Sequence, residues 1–144
     1  MKGKFLLYSQ LGLIVLLFYF GNFSKIFSTG LLSILFALGA ILGLYAFYNL
    51  GLDTYTPFAE PRREGKHVQT GAYQFIRHPM YTAVMVIGLT LLFSNPNFTS
   101  AIIFLLLIYV LDQKATIEEE FLTKLHPTYK AYAQNTKKFI PYLY

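Results

Sequence analysis

The stretch Met80-Tyr81-Thr82-Ala83-Val84-Met85-Val86-Ile87-Gly88-Leu89-Thr90-Leu91-Leu92-Phe93 is followed by Ser94-Asn95-Pro96-Asn97 and then by a second apolar run, Phe98 to Leu111. Each run falls short of the ~20 residues that cross a ~30 Å hydrocarbon core. The turn-rich linker between them makes the pair read as one tight antiparallel helical hairpin. Amphipathic extensions towards Arg77 and Asp112 are expected to supply the missing length.

Working outward, two longer apolar runs precede the hairpin, Phe5 to Gly21 and Gly30 to Leu50. The expected fold is all-α: a polytopic membrane helical bundle of about four transmembrane helices, the last two a hairpin, plus a cytoplasmic C-terminal helical segment. Residues 1–144 then form a single membrane-embedded domain. Residues 1–50 hold two transmembrane helices, 51–79 a cytoplasmic connector, and 80–144 the hairpin and a C-terminal segment. Hydrophobic residues make up 55% of the chain and charged residues 13%, against about 25% charged in soluble domains. Disorder is excluded by the same numbers. The apolar run after Lys2 and Lys4 lacks a small-x-small cleavage pattern, so it is expected to be a retained helix. With no cysteine, thiolate chemistry and disulfides are excluded.

The net charge of +5 does not point to nucleic acid, because the charges sit in the connectors and tail, as in proteins facing anionic lipid. All 12 basic residues except Lys25 fall on one side if both termini are cytoplasmic. Gly39-Ala40-Ile41-Leu42-Gly43 is a small-xxx-small motif, open either to close packing of a neighbouring helix or to chance. Tyr8, Tyr19, Tyr45, Tyr48, Tyr81 and Tyr109 lie near helix ends and read as interfacial anchors or core fillers.

Two constellations can carry chemistry. In Arg77-His78-Pro79, proline suits the first helical position and His78 becomes the N-cap. Free N–H groups and the helix dipole, beside the Arg77 guanidinium, then form a site for a carboxylate or phosphate; a lipid headgroup is the competing occupant. The second constellation is Glu118-Glu119-Glu120, followed by a stripe of Phe121, Leu125, Tyr129 and Tyr132 broken at His126-Pro127. Lys114 with Glu118, and Glu120 with Lys124, are spaced for helical ion pairs, which leaves Glu119 without one. These carboxylates read either as a solvated face or as groups that bind a cation, hydroxyls or a proton. His67, His78 and His126 show no short metal-binding spacing, so no metal is expected. No Gly-rich strand-to-helix turn marks a soluble nucleotide fold.

The pattern Gly71-x-Tyr73-x-x-x-Arg77-His78-Pro79-x-Tyr81, a helical hairpin, then a Glu cluster with Tyr129, Tyr132 and Pro141 resembles a known family. It is similar to the membrane methyltransferases that include isoprenylcysteine carboxyl methyltransferase and the phospholipid N-methyltransferases. The resemblance spans roughly Pro57 to Pro141. It implies S-adenosylmethionine as cofactor, in a pocket between the last hairpin and the C-terminal segment. Arg77, His78 and Pro79 would border it with Tyr73, and Tyr81 would line it. Glu118 or Glu119 would bind the cofactor's polar groups or the reacting end of the acceptor, with Tyr129 and Tyr132 closing the lid. The implied catalytic group is Glu118, Glu119 and Arg77. Leu125-His126 stands where the family carries Phe-Gly, and counting back from Tyr129 favours Glu118, whereas the ion-pair spacing favours Glu119.

The expected partners are membrane lipids and a lipophilic small-molecule or lipid-modified acceptor, reached through the bilayer. Prenylated cysteine and phospholipid amine both fit. A nicotinamide-dependent membrane reductase, a non-enzymatic protein binding a partner or acidic lipid, and a channel are the other readings.

Overall fold

The computed structural model describes residues 2–60 and 67–144. Six helices form: α1 (Lys2–Phe20), α2 (Phe23–Ser28), α3 (Gly30–Leu50), α4 (Pro79–Ser94), α5 (Phe98–Leu125) and α6 (Tyr129–Asn135), with a 3-10 turn at Gly71–Gln74. α1, α3 and α5 are each long and apolar enough to cross a membrane, whereas α4 is a shorter apolar helix of 16 residues. The protein is a helical membrane bundle, as the apolar runs require.

The boundaries depart from expectation in two places. α5 does not stop at Leu111 but continues for 28 residues, so the Glu cluster lies on the hairpin's own second leg rather than beyond it. Hydrophobicity fades after Leu111, yet Gln, Lys, Ala, Glu and Leu keep the helix going, until Pro127 disfavours helical geometry at His126. α4, by contrast, gains no extension towards Arg77. It opens at Pro79, with His78 in a non-helical cap conformation. The short α2 was not legible as a helix. The Asn22 side chain caps it by accepting the Lys25 N–H at 3.0 Å.

Packing redistributes the hairpin. α4 lies most extensively against α3, and α5 against α1, while α4 and α5 touch each other less. Gly39 and Gly43 explain the first pairing. A Cβ on Gly39 would stand 2.8 Å from Ile87, and one on Gly43 would stand 3.3 Å from the Ala83 Cβ. The small-xxx-small motif therefore serves packing within the chain. Leu17, Ile26, Leu32, Leu91, Ile103, Phe104, Leu107 and Leu111 form the core. Tyr8, Tyr19, Tyr45, Tyr48 and Tyr109 point outward, consistent with interfacial or lipid contact.

One end of the bundle is closed by short polar ties. The Asn22 N–H donates to Ser94 Oγ at 2.8 Å, Asn95 donates to the Phe20 carbonyl at 3.0 Å, and Asn97 caps α5 by accepting the Ser100 N–H at 2.9 Å. The other end gathers the start of α1, the connector and the tail. Of the basic residues assigned to this end from sequence, Arg62, Arg63 and Lys66 lie outside the described residues.

Candidate active site

The C-terminal tail is laced to the segment that enters α4. The Arg77 and His78 amides donate to the Lys137 and Lys138 carbonyls at 2.7 and 3.1 Å, and Ile76 and Lys137 form a parallel bridge. Thr82 Oγ1 adds a 2.8 Å bond to the Phe139 carbonyl. Lys138 pairs with Asp112 on α5 at 2.5 Å. Gly71 makes the turn before this segment possible. Its φ of +62° is a left-handed conformation that favours glycine, and a Cβ there would also have to displace the Asn49 side-chain amide.

These ties bring Arg77 and His78 against α5. Arg77 Nε donates to Glu119 Oε1 at 2.7 Å, and Nη1 donates to the Ala133 and Thr136 carbonyls at 3.0 and 2.5 Å. His78, almost wholly buried, meets the same Glu119 oxygen through Nε2 at 2.9 Å. The anion that this doorway binds is thus the chain's own Glu119 carboxylate, the one left over by helical ion-pair counting. The expected Lys114–Glu118 and Glu120–Lys124 pairs do not form among the described residues. Lys114 turns to Gln10 and Pro57, and Lys124 lies over the Phe121 ring.

Glu118, one residue earlier, has different neighbours. The Tyr81 hydroxyl donates to its Oε2 at 2.9 Å, and His78 Nδ1 lies 3.6 Å away. The His78 and Tyr81 rings stack with an interplanar angle of 5°. Tyr81 is therefore part of this cluster rather than an interfacial anchor.

Two chambers meet here. The larger, about 490 Å³, is walled by Leu7, Gln10 and Leu11 of α1, Met80, Tyr81 and Val84 of α4, and Lys114 of α5. The smaller, about 60 Å³, is lined by His67, Val68, Leu122, Tyr129 and Tyr132. Tyr73, Arg77 and Glu118 border both. Glu119 borders neither; it faces an open groove beside α6.

The smaller chamber has a distinct polar character. Burial, together with the nearby Glu118 and Tyr132, pushes the Tyr73 phenol up, and burial and Glu119 do the same to Tyr129. Burial pushes Tyr132 up to about 12. All three hydroxyls therefore stay protonated near neutral pH, and the Tyr132 hydroxyl donates to the Tyr73 carbonyl at 2.6 Å. Burial lowers His67, with His126 as the second cause, so its neutral form is favoured. Its Nδ1 lies 3.0 Å from the Gln69 amide nitrogen, which can only donate, so the ring proton belongs on Nε2. That Nε2 and the Tyr129 hydroxyl are buried with no hydrogen-bond partner among the described residues. Two orphaned polar atoms on one small chamber are a fit for a hydrogen-bonding ligand.

Sequence reasoning weighed His67 only as a metal ligand, although it stands just ahead of the Gly71 motif. It passed over Gln10, whose amide amid the apolar α1 run was a signal. The remaining residues named from sequence converge here: Tyr73, Arg77, His78, Pro79, Tyr81, Glu118, Tyr129 and Tyr132 surround or support the junction.

A helical membrane bundle with a polar junction at one end, under a C-terminal cap, defines the class of this protein. The model of the isoprenylcysteine carboxyl methyltransferase family matches residues 31–124, and the chain belongs to that family. The match reaches back across α3, where motif reading had found no signature, and ends just before the α6 tyrosines. Its broad class is accordingly a membrane methyltransferase. No curated protein and no solved structure gives a significant match.

Proposed function

We propose that the chain transfers a methyl group from S-adenosylmethionine to a lipophilic carboxylate of the isoprenylcysteine type. The observation that carries this reading is the meeting of a polar and an amphipathic chamber at Tyr73, Arg77 and Glu118. The His67 Nε2–H and the Tyr129 hydroxyl suit the polar groups of the cofactor, with Tyr73, Tyr132 and Glu118 around them. Arg77, His78, Pro79 and Tyr81 would border it. Leu7, Leu11, Met80 and Val84 offer a wall for a hydrocarbon tail.

S-adenosylmethionine held by these residues would supply an activated methyl group on its sulfonium. The residues of the chain then have alignment as their main task, and orientation can supply up to ~7–11 kcal/mol. Arg77 and His78, both bonded to Glu119, fix the tail as a lid and hold Glu118 and Tyr81 at the junction. The basic residues at this end support a cytoplasmic placement of both termini, with cofactor arriving from water and acceptor from the bilayer.

Glu118 on the wall of both chambers favours a second reading, an amine acceptor whose proton this carboxylate takes. Titration calorimetry of the detergent-purified protein with S-adenosylmethionine, followed by methyl-label transfer into a membrane extract, tests both. Binding together with alkali-labile label in lipid supports an ester product. Alkali-stable label supports the amine reading, and no binding at millimolar cofactor overturns the enzyme proposal.

A further inference from the structure

Lys114 is a buried charge that makes no salt bridge among the described residues. It sits on α5 one turn before Glu118, with only 2% of its surface exposed. Its ammonium donates to Gln10 Oε1 at 2.7 Å and to the Pro57 carbonyl at 3.0 Å, and lies 5.2 Å from the centre of the Tyr81 ring. Both acceptors are neutral, and Lys114 joins no ion pair among the described residues. An ammonium has three protons to place, and removing one from water costs several kcal/mol unless a counter-charge meets it. Glu118, one turn on, acts on Lys114 through space but makes its direct contacts with the Tyr81 hydroxyl and the His78 ring. Lys114 and Gln10 both border the larger chamber. The chamber thus presents a buried cation with incomplete compensation beside an apolar wall.

We propose that Lys114, held in place by Gln10 and the Pro57 carbonyl, binds the anionic headgroup of the acceptor and so selects carboxylates over amines. The proposal rests on the methyltransferase reading and names the residue that sets its acceptor class. A carboxylate at Lys114 supplies the missing counter-charge. Its hydrocarbon tail then lies along Leu7, Leu11 and Val84, and its oxygens stand about one helical turn, ~5.4 Å, from the junction at Glu118. An amine headgroup would set a second cation beside the first in the same low-dielectric space, a repulsion that discriminates against it. The test for neutral packing is therefore chemical: the site must tell a charged acceptor from its uncharged isostere.

The experiment is direct binding, by titration calorimetry in detergent, of S-farnesylcysteine capped with an acetyl group and of the same compound as its carboxamide. The native chain is expected to bind the carboxylate at least tenfold more tightly than the carboxamide. Lys114→Met should abolish that preference while keeping the carboxamide affinity within about threefold, and Lys114→Arg should retain it. S-adenosylmethionine affinity, measured on the same samples, should not change. Equal affinity of the native chain for the two compounds overturns the proposal without any variant. Loss of both compounds in Lys114→Met also overturns it, as the mark of a purely structural lysine. Cofactor binding is read separately: its absence in the native chain overturns the methyltransferase reading, while a carboxylate preference found alongside still supports the Lys114 site.

Discussion

The two ends of the bundle are held by different kinds of contact. At the end formed by Asn22 and the Ser94–Asn97 turn, the ties are neutral: caps within three residues, as Asn97 on Ser100 and Asn22 on Lys25, beside two bonds between segments, Asn22 to Ser94 and Asn95 to Phe20. At the other end every decisive contact joins distant parts of the chain: Arg77 to Glu119 and Thr136, Tyr81 to Glu118, Tyr132 to Tyr73. The first end is tied by neutral amides, hydroxyls and carbonyls. The second holds charged groups out of water, and can do so only because several segments arrive at once. A site that must exclude water while keeping polar atoms is built at the end where the chain is cross-tied.

If that contrast is right, substitutions at the cross-tied end should be far more costly than those at the capped end. Arg77→Ala leaves Glu119 with His78 alone and takes the guanidinium donor from the Ala133 and Thr136 carbonyls, and should lower stability by about 2–4 kcal/mol. It should also weaken S-adenosylmethionine binding at least tenfold, read by denaturant melts in detergent and by calorimetry. Unchanged values for both would mean that the tail is not held by this contact.

Glu118→Gln divides the two neighbouring carboxylates. It should slow methyl transfer at least tenfold with a melting temperature near that of the native chain, whereas Glu119→Gln should destabilise the lid as Arg77→Ala does. The pH profile of the Glu118→Gln rate carries the acceptor. A deficit that shrinks as pH rises identifies an amine that must lose a proton, and a deficit equal at all pH values points to a carboxylate acceptor or to cofactor binding by Glu118.

Asn97→Ala at the capped end should cost only about 1 kcal/mol, the worth of one N-cap. It should leave cofactor affinity unaltered, and a large loss of binding would break the comparison. The smallest effect expected is that of His67. Its folded value lies below the ordinary 6.5, so the unfolded chain takes up a proton first as pH falls. Stability should therefore be level above about pH 6.5 and decline below it until the lowered folded value is passed. His67→Gln should flatten that decline in melting temperature.

Much of this protein was legible without a structure, in proportion to how local the physics was. The apolar runs announced the membrane helices, Pro79 marked the start of α4 and His126-Pro127 the end of α5. The α5 extension past Leu111 was missed because loss of hydrophobicity marks the end of an apolar run, not the end of a helix. The residues that meet at the junction were named by motif, but their pairing was not. Counting by helical spacing assigned Lys114 to Glu118, whereas the fold offered Lys114 a glutamine 104 positions away.

The sequence alone determined a basic-ended helical membrane bundle, a proline-started α4 and a motif cluster in the right order along the chain. Transfer free energy, capping and the missing proline N–H all act within a few residues, so their consequences can be read from neighbours. Tertiary structure decided which carboxylate is locked by Arg77 and His78, which one faces the chambers, and where the Lys114 charge is buried. Those outcomes depend on which distant groups share a desolvated space. No local rule contains that information, because the favourable partner is chosen by the packing of α1, α4, α5 and the tail together.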